Sequence, residues 1–216
     1  MARDLLYGEV ADFRCDIAAL RNYYGSEVRR HPSQPYFDNG ANYVGWAITS
    51  RDGSIHDAIQ HIPRKARGPG TGRQTSLRAT LPTKLYKGPM QEVMDLLNAS
   101  GLEPFRARVM ALDEQGFEMN FHRDADKESW RLHVPIITNP GAFFEWQIDG
   151  KVMRAHLPAD GRAWFVRVDQ IHRAVNEGAG HGERVHLLMS LRQVPAPRRF
   201  GPERRLLPGV AAQAAV

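Results

Sequence analysis

Past Gly101 the chain breaks into short runs rich in Val, Ile, Phe and Trp, each closed within a few residues by turn chemistry. The runs are Arg106 to Leu112, Phe117 to His122, Arg131 to Thr138, Phe143 to Ile148, Val152 to Leu157, Ala163 to Val168, His172 to Val175 and Arg184 to Leu191. Asn139-Pro140-Gly141 and Asp149-Gly150 lie between them, and the second pair is a strong two-residue hairpin signal. Short strands separated by turns at close spacing predict a mainly β fold with a double-stranded β-helix core, of the jelly-roll or cupin-like kind. Upstream, Asp16 to Tyr24 carries apolar residues at helical spacing, and Gly25 is placed to end that helix. Asn42 to Thr49 reads as a strand closed by Arg51-Asp52-Gly53. Pro89 fits a first helical position, and Met90, Val93, Met94 and Leu97 form an apolar stripe through Asn98. These N-terminal helices are expected to pack outside the barrel.

A chain of 216 residues with no internal repeat suits one well-buried domain, expected over 1–194. From Pro195 the sequence turns to Pro, Arg and Ala without apolar periodicity, so 195–216 reads as a tail. Pro63 to Gly72 is a Pro-, Gly- and Arg-rich exposed loop, a segment suited to a lid. No apolar run approaches the length of a membrane span, and Met1-Ala2-Arg3-Asp4 carries no apolar signal core, which points to a cytoplasmic protein. Cys15 is the lone cysteine and has no partner for a disulfide or a zinc finger. The net charge of +5 and pI near 9.6 raise nucleic acid as a partner. The basic residues lie in Pro/Gly-rich surroundings without interleaved aromatics or a groove-reading motif, which argues against it.

The chemistry concentrates in His122-Arg123-Asp124, His172 and Arg184. A His-x-Asp pair on an extended strand points both side chains to one face, and a distant His completes a three-ligand set for Fe(II) that leaves coordination positions open. With nine histidines an accidental His-x-Asp match is common, so the weight lies in its setting at a strand end with a strand-borne His downstream. Arg184 opens an apolar strand, where an unpaired guanidinium costs several kcal/mol, about what burial of an ion carries, unless an anion meets it. A dicarboxylate co-substrate would be that anion; the plain alternatives are a structural salt bridge or an outward-facing side chain. Arg131 and His133 share a strand face and could touch a carboxylate beside the metal. Arg106 and Arg108 are expected to share one face as well, with Arg108 placed to bind a substrate or co-substrate carboxylate. His186, Asn176, Trp146 and Trp164 fit either the wall of a site or plain core packing.

The ordered set Arg106-Ala107-Arg108, His122-Arg123-Asp124, Arg131 through Pro140, Gly161 through Phe165, His172, Asn176 and Arg184-Val185-His186-Leu187 resembles a known family. It is similar to the aspartyl/asparaginyl β-hydroxylase-type branch of the Fe(II)/2-oxoglutarate-dependent dioxygenases, which includes bacterial cis-proline hydroxylases. The resemblance covers roughly residues 100 to 192, and a segment like Asn42-Tyr43-Val44-Gly45-Trp46 also occurs upstream in that family. It implies iron held by His122, Asp124 and His172, Arg184 on the distal carboxylate of 2-oxoglutarate, and Arg131 and His133 by its metal-chelating end. The implied activity is hydroxylation, with O2, of an unactivated C–H in an amino acid. A free amino acid is the favoured substrate, and an Asp or Asn residue in a peptide or on a carrier is the alternative. Two departures stand out. The animal peptide-modifying members lack the carboxylate that Asp124 supplies, and the interval from His172 to Arg184, with Gly178, Gly180 and Gly182, is slightly long. Outside the family, the competing readings are a non-enzymatic basic β-barrel binding module and a metal barrel of another chemistry.

Overall fold

The computed structural model describes residues 6–36, 42–56, 79–114, 116–124, 130–177 and 182–191. The loop from Pro63 to Gly72 and the tail from Pro195 lie outside the described residues. The β-branched and aromatic runs become strands, preceded by short ones: β1 (Tyr7–Glu9), β2 (Gln34–Pro35), β3 (Tyr43–Ala47), β4 (Thr49–Ser50) and β5 (Leu81–Pro82). The barrel follows as β6 (Pro104–Leu112), β7 (Phe117–Glu118), β8 (Trp130–Ile137), β9 (Ala142–Ile148), β10 (Lys151–Ala155), β11 (Trp164–Arg167), β12 (His172–Asn176) and β13 (Arg184–Leu191).

Two antiparallel sheets result. The larger runs β1-β11-β8-β13-β6-β3-β2 and the smaller β10-β9-β12-β7, while β4 and β5 pair separately. From β6 onward the chain passes back and forth between the two sheets, and the one local step is the β9–β10 hairpin. That winding is a double-stranded β-helix. The hairpin turns on Asp149 and Gly150 at φ 47° and 74°, the doubly positive backbone that a tight two-residue turn requires. β10 forms one free edge of the smaller sheet and carries Lys151, exposed Val152 and Arg154.

Strand alternation decides which residues meet the site. Ala107, Val109 and Ala111 of β6, Leu132, Val134 and Ile136 of β8, and Val185, Leu187 and Met189 of β13 belong to one buried apolar cluster with the helices. The intervening residues, Arg108, Arg131, His133, Arg184 and Leu188, face the other way and line a cavity between the sheets. A slip of one residue would exchange the two sets, so the apolar face against the helices fixes where the polar residues point. Helix α1 (Ile17–Ser26) is capped by Asp16, whose side chain accepts from the Ala19 N–H at 2.9 Å, and it buries Leu20, Tyr23 and Tyr24. Helix α2 (Pro89–Ala99) starts on Pro89 and buries the anticipated Met90, Val93, Met94 and Leu97.

Two expectations need correction. Gly25 does not end α1: the helix runs on to Ser26 because the Glu27 N–H still closes on the Tyr23 carbonyl at 2.9 Å. Arg106 and Arg108 do not share a face. The β6–β13 register shifts between Leu188 and Ser190, and Arg106 takes φ 50° in that irregularity. The extra residue breaks the two-residue period, and Arg108 alone of the pair lines the cavity.

On the outer side of the smaller sheet, Glu145 is fully buried between Arg154 and Arg173, which extend the network to Glu177 and Glu118. At the N-terminal end of β11, Gly161 at φ 86° lets the chain before α1 pass close. The Cys15 N–H donates to the Gly161 carbonyl at 3.0 Å, and an added Cβ would stand 2.5 Å from the Cys15 carbonyl oxygen. Gly161→Ala should therefore lower the unfolding free energy by about 2 kcal/mol or more, through both the positive φ and a backbone clash. Urea unfolding of the two proteins measures it, and an unchanged midpoint would contradict the close approach.

Candidate metal centre

His122 and His172 come from segments far apart in sequence that meet in a single antiparallel bridge, with reciprocal N–H···O bonds of 3.0 and 2.9 Å. Their rings lie 4.5 Å apart between centroids. The expected strand Phe117 to His122 stops at Glu118, so His122 is held by this bridge and not by a continuous strand. Asp124 stays beside them because its N–H donates to the Val168 carbonyl at 3.3 Å. Ligand atoms of His122, Asp124 and His172 all lie within 4.8 Å of one another. The sequence-derived trio therefore converges.

Each imidazole is oriented from behind. Nδ1 of His122 lies 2.8 Å from the Asn120 carbonyl and Nδ1 of His172 lies 2.8 Å from the Gln170 carbonyl. A carbonyl can only accept, so both Nδ1 atoms carry a proton, and the neutral form of either ring would then present its lone pair on Nε2. Nε2 of His122 is 3.7 Å from Oδ1 of Asp124. The other carboxylate oxygen, Oδ2, accepts from Arg131 at 2.5 Å. Burial alone would raise the Asp124 pKa, but the Arg131 guanidinium beside it holds it below the ordinary carboxylate value. Burial pushes His172 down to about 4, which keeps it neutral and able to ligate at neutral pH. Phe144 stacks on the His172 ring at 5.2 Å and 12°. Two imidazoles and one carboxylate make a donor set that suits Fe(II) and related divalent metals, so the residues fit the ion that the sequence implied.

The cavity beside this trio is lined by Arg108, Arg131 and Arg184, by His133, and by Tyr36, Tyr43, Met119, Phe144, Val168, Ala174 and Leu188. Arg184 is 2% exposed, and among the described residues no carboxylate pairs with it. Burial lowers its pKa to about 10, opposed by Tyr43, so it remains a cation at neutral pH. Burial, then Arg131, lowers that of Arg108. His133 and His186 are both fully buried, and burial with the nearby Arg184 holds both neutral. Arg108, Arg131, His133 and Arg184 thus share one cavity with the metal trio. Asn176 does not face it: its side chain donates to the Asp113 and Gly182 carbonyls and accepts from Asn139, tying strand ends together. Trp146, whose ring N–H donates to the Arg167 carbonyl, is core. Tyr36, Tyr43 and Phe144 escaped the sequence reading as site residues. For Phe144 the signal was present, since its cross-strand partner Ala174 is two residues from His172 and therefore on the same face.

No family model matches the chain, and no curated protein matches it. Among solved structures it is similar to an oxidoreductase of the 2OG-Fe(II) oxygenase family from Burkholderia pseudomallei, at 16% identity and TM-score 0.46 over 85% of this chain and 81% of that one. It is similar also to a Pseudomonas putida prolyl-4-hydroxylase, at 12% identity and TM-score 0.46 over 89% of this chain and 95% of that one. A third is a prolyl hydroxylase from Trichoplax adhaerens in complex with a hypoxia inducible factor peptide fragment, at 12% identity and TM-score 0.44 over 86% and 82%. At these TM-scores the likeness does not bear on activity, and the function rests on the residues of the site. No helix among the described residues is long and apolar enough to cross a membrane.

The neutral, buried state of His172 has a consequence for stability. Its folded pKa of about 4 lies below the ordinary 6.5, so on acidification the unfolded chain takes up a proton that the folded one refuses. The stability that His172 confers is complete above pH 6.5 and is lost as pH falls toward 4. That loss amounts to about 3 kcal/mol from this residue, and His133 and His186 act in the same direction. Urea unfolding of the metal-free protein at pH 7 and pH 4.5 should record the decline, whereas a flat profile would show that these rings protonate freely in the fold.

Proposed function

We propose that the chain is an Fe(II)/2-oxoglutarate-dependent dioxygenase that hydroxylates an unactivated C–H of an amino acid. The observation that carries this reading is Arg184, a buried guanidinium without a carboxylate among the described residues, in the same cavity as His122, Asp124 and His172. Nε2 of each histidine and Oδ1 of Asp124 would hold the metal. The chemistry such a centre supplies is oxidative decarboxylation of 2-oxoglutarate to succinate and carbon dioxide, coupled to insertion of one oxygen atom of O2 into a substrate C–H.

The protein residues supply placement. Arg184 gives a planar, charge-assisted fork for the distal carboxylate of 2-oxoglutarate, and the low-dielectric burial that depresses its pKa strengthens that pairing. Arg131 holds Oδ2 of Asp124 and so keeps Oδ1 turned toward the histidines. Phe144, Met119, Val168 and Leu188 form apolar wall that limits water around the reacting atoms. Arg108, on the same cavity, would take the carboxylate of a free amino-acid substrate. Its positive charge beside Tyr36 and Tyr43 favours an acid over a neutral amide.

Anaerobic addition of 2-oxoglutarate to the Fe(II)-loaded protein should produce a visible charge-transfer band that is absent in His122→Ala. Arg184→Ala should weaken 2-oxoglutarate binding by about 100-fold or more, as expected for loss of two charge-assisted hydrogen bonds. The absence of any 2-oxoglutarate-dependent band in the wild type would sink the assignment. A succinate-release screen over free amino acids and acidic peptides then separates the substrate classes: turnover with peptides only would move the substrate from a free amino acid to an amino-acid residue in a chain.

A further inference from the structure

Behind the cavity wall, Nδ1 of His186 is approached by two groups at once. Nη2 of Arg184 lies 3.2 Å from it and Nδ1 of His133 lies 3.3 Å from it. His186 is 1% exposed, and its buried Nε2 has no hydrogen-bond partner among the described residues. The His133 and His186 rings are perpendicular with centroids 5.6 Å apart, and with the two Nδ1 atoms only 3.3 Å apart it is the nitrogen edges that face each other. Arg184, His186 and Leu188 alternate along β13 on the side facing the site, and His133 is the cross-strand partner of Leu188 on β8.

These contacts determine where the protons are. A guanidinium can only donate, so Nδ1 of His186 must be the accepting nitrogen, and a neutral ring then carries its proton on Nε2. Nδ1 of His133, facing that same acceptor, must be a donor. His133 therefore keeps its lone pair on Nε2, the only polar atom of its ring left for the cavity it lines. The orphaned Nε2–H of His186 is a group a fold ordinarily pairs, and its burial here is the counterpart of committing Nδ1 to Arg184 and His133.

We infer that His186 is a positioning residue, which through one acceptor atom aims Arg184 into the cavity and fixes His133 in the Nδ1-protonated tautomer. His133 then meets the cavity as a hydrogen-bond acceptor among cationic donors. It is suited to an N–H or O–H of the substrate and unsuited to a second carboxylate. The division of labour follows: Arg184 and Arg108 take carboxylates, and His133 recognises a donor. This refines the expectation that His133 contacts the chelating carboxylate of 2-oxoglutarate. The part concerning Arg184 rests on the reading under Proposed function, whereas the tautomer does not.

Nitrogen-15 NMR of histidine-labelled, metal-free protein at neutral pH reads the tautomers directly. His133 should show a protonated Nδ1 and a bare Nε2, and His186 the reverse. His186→Leu should move His133 to a mixture of tautomers and weaken 2-oxoglutarate binding to the Mn(II)-loaded protein by about tenfold or more, with Mn(II) affinity unchanged. His186→Asn, which can place an amide oxygen near the position of Nδ1, should restore both. A wild-type His133 protonated on Nε2 overturns the inference, as does His186→Asn binding no better than His186→Leu. Should His186→Leu fail to fold, the wild-type tautomers and the Asn variant decide. Wild-type protein that takes up Mn(II) but no 2-oxoglutarate would refute the proposed function, and the NMR result would still judge the role of His186 in setting the His133 tautomer.

Discussion

A guanidinium removed from water and left without a carboxylate is among the least favourable things a strand can bury, and Arg184 is in that position among the described residues. Much of the surrounding structure reads as a response to it. Tyr43 and the Nδ1 lone pair of His186 provide partial compensation, and the nearby histidines stay uncharged beside the cation. None of these supplies the missing negative charge. Among the described residues the cavity thus sets a buried cation without a carboxylate beside His122, Asp124 and His172, the juxtaposition on which the proposed function rests.

The trio itself is held from outside. Backbone carbonyls fix both imidazoles, Arg131 fixes the carboxylate, and the Phe144 ring lies flat on His172. Under the proposed function little reorganisation would be needed on metal binding, because these contacts already orient the three side chains. The same economy recurs on β13, where one imidazole orients two neighbours.

Much of this was legible from the residues, and the reasons differ by level. The strands of the barrel could be read because Val109, Val134 and Leu187 alternate with Arg108, His133 and Arg184, a period of two that a helix cannot accommodate. His122, Asp124 and His172 could be picked out because few residue types can serve as metal ligands, and they lie together; Arg184 could be picked out as a charge in an apolar strand, and it lines the same cavity. The positive φ of Arg106 was hidden, because nothing in a Phe-Arg-Ala run announces an extra residue in a ladder. Tyr36 was hidden for another reason: it belongs to no strand of the barrel and reaches the cavity only through the β2–β3 connection. His186 was visible as a neighbour of Arg184 on one strand face. Its hydrogen bonds depend on the facing strand, however, and β8 carries Pro135 opposite it at a register shift.

The two sheets differ in what covers them. Apolar side chains and helices back the large one, whereas the small one is backed by Glu145 clasped between Arg154 and Arg173. Among the described residues β10 is the border of that sheet, with Lys151 beside exposed Val152 and with Arg154 held by Glu145 and Glu177. Any strand added at that border would have to pair alongside Lys151, and a lysine on an edge strand works against edge-to-edge stacking.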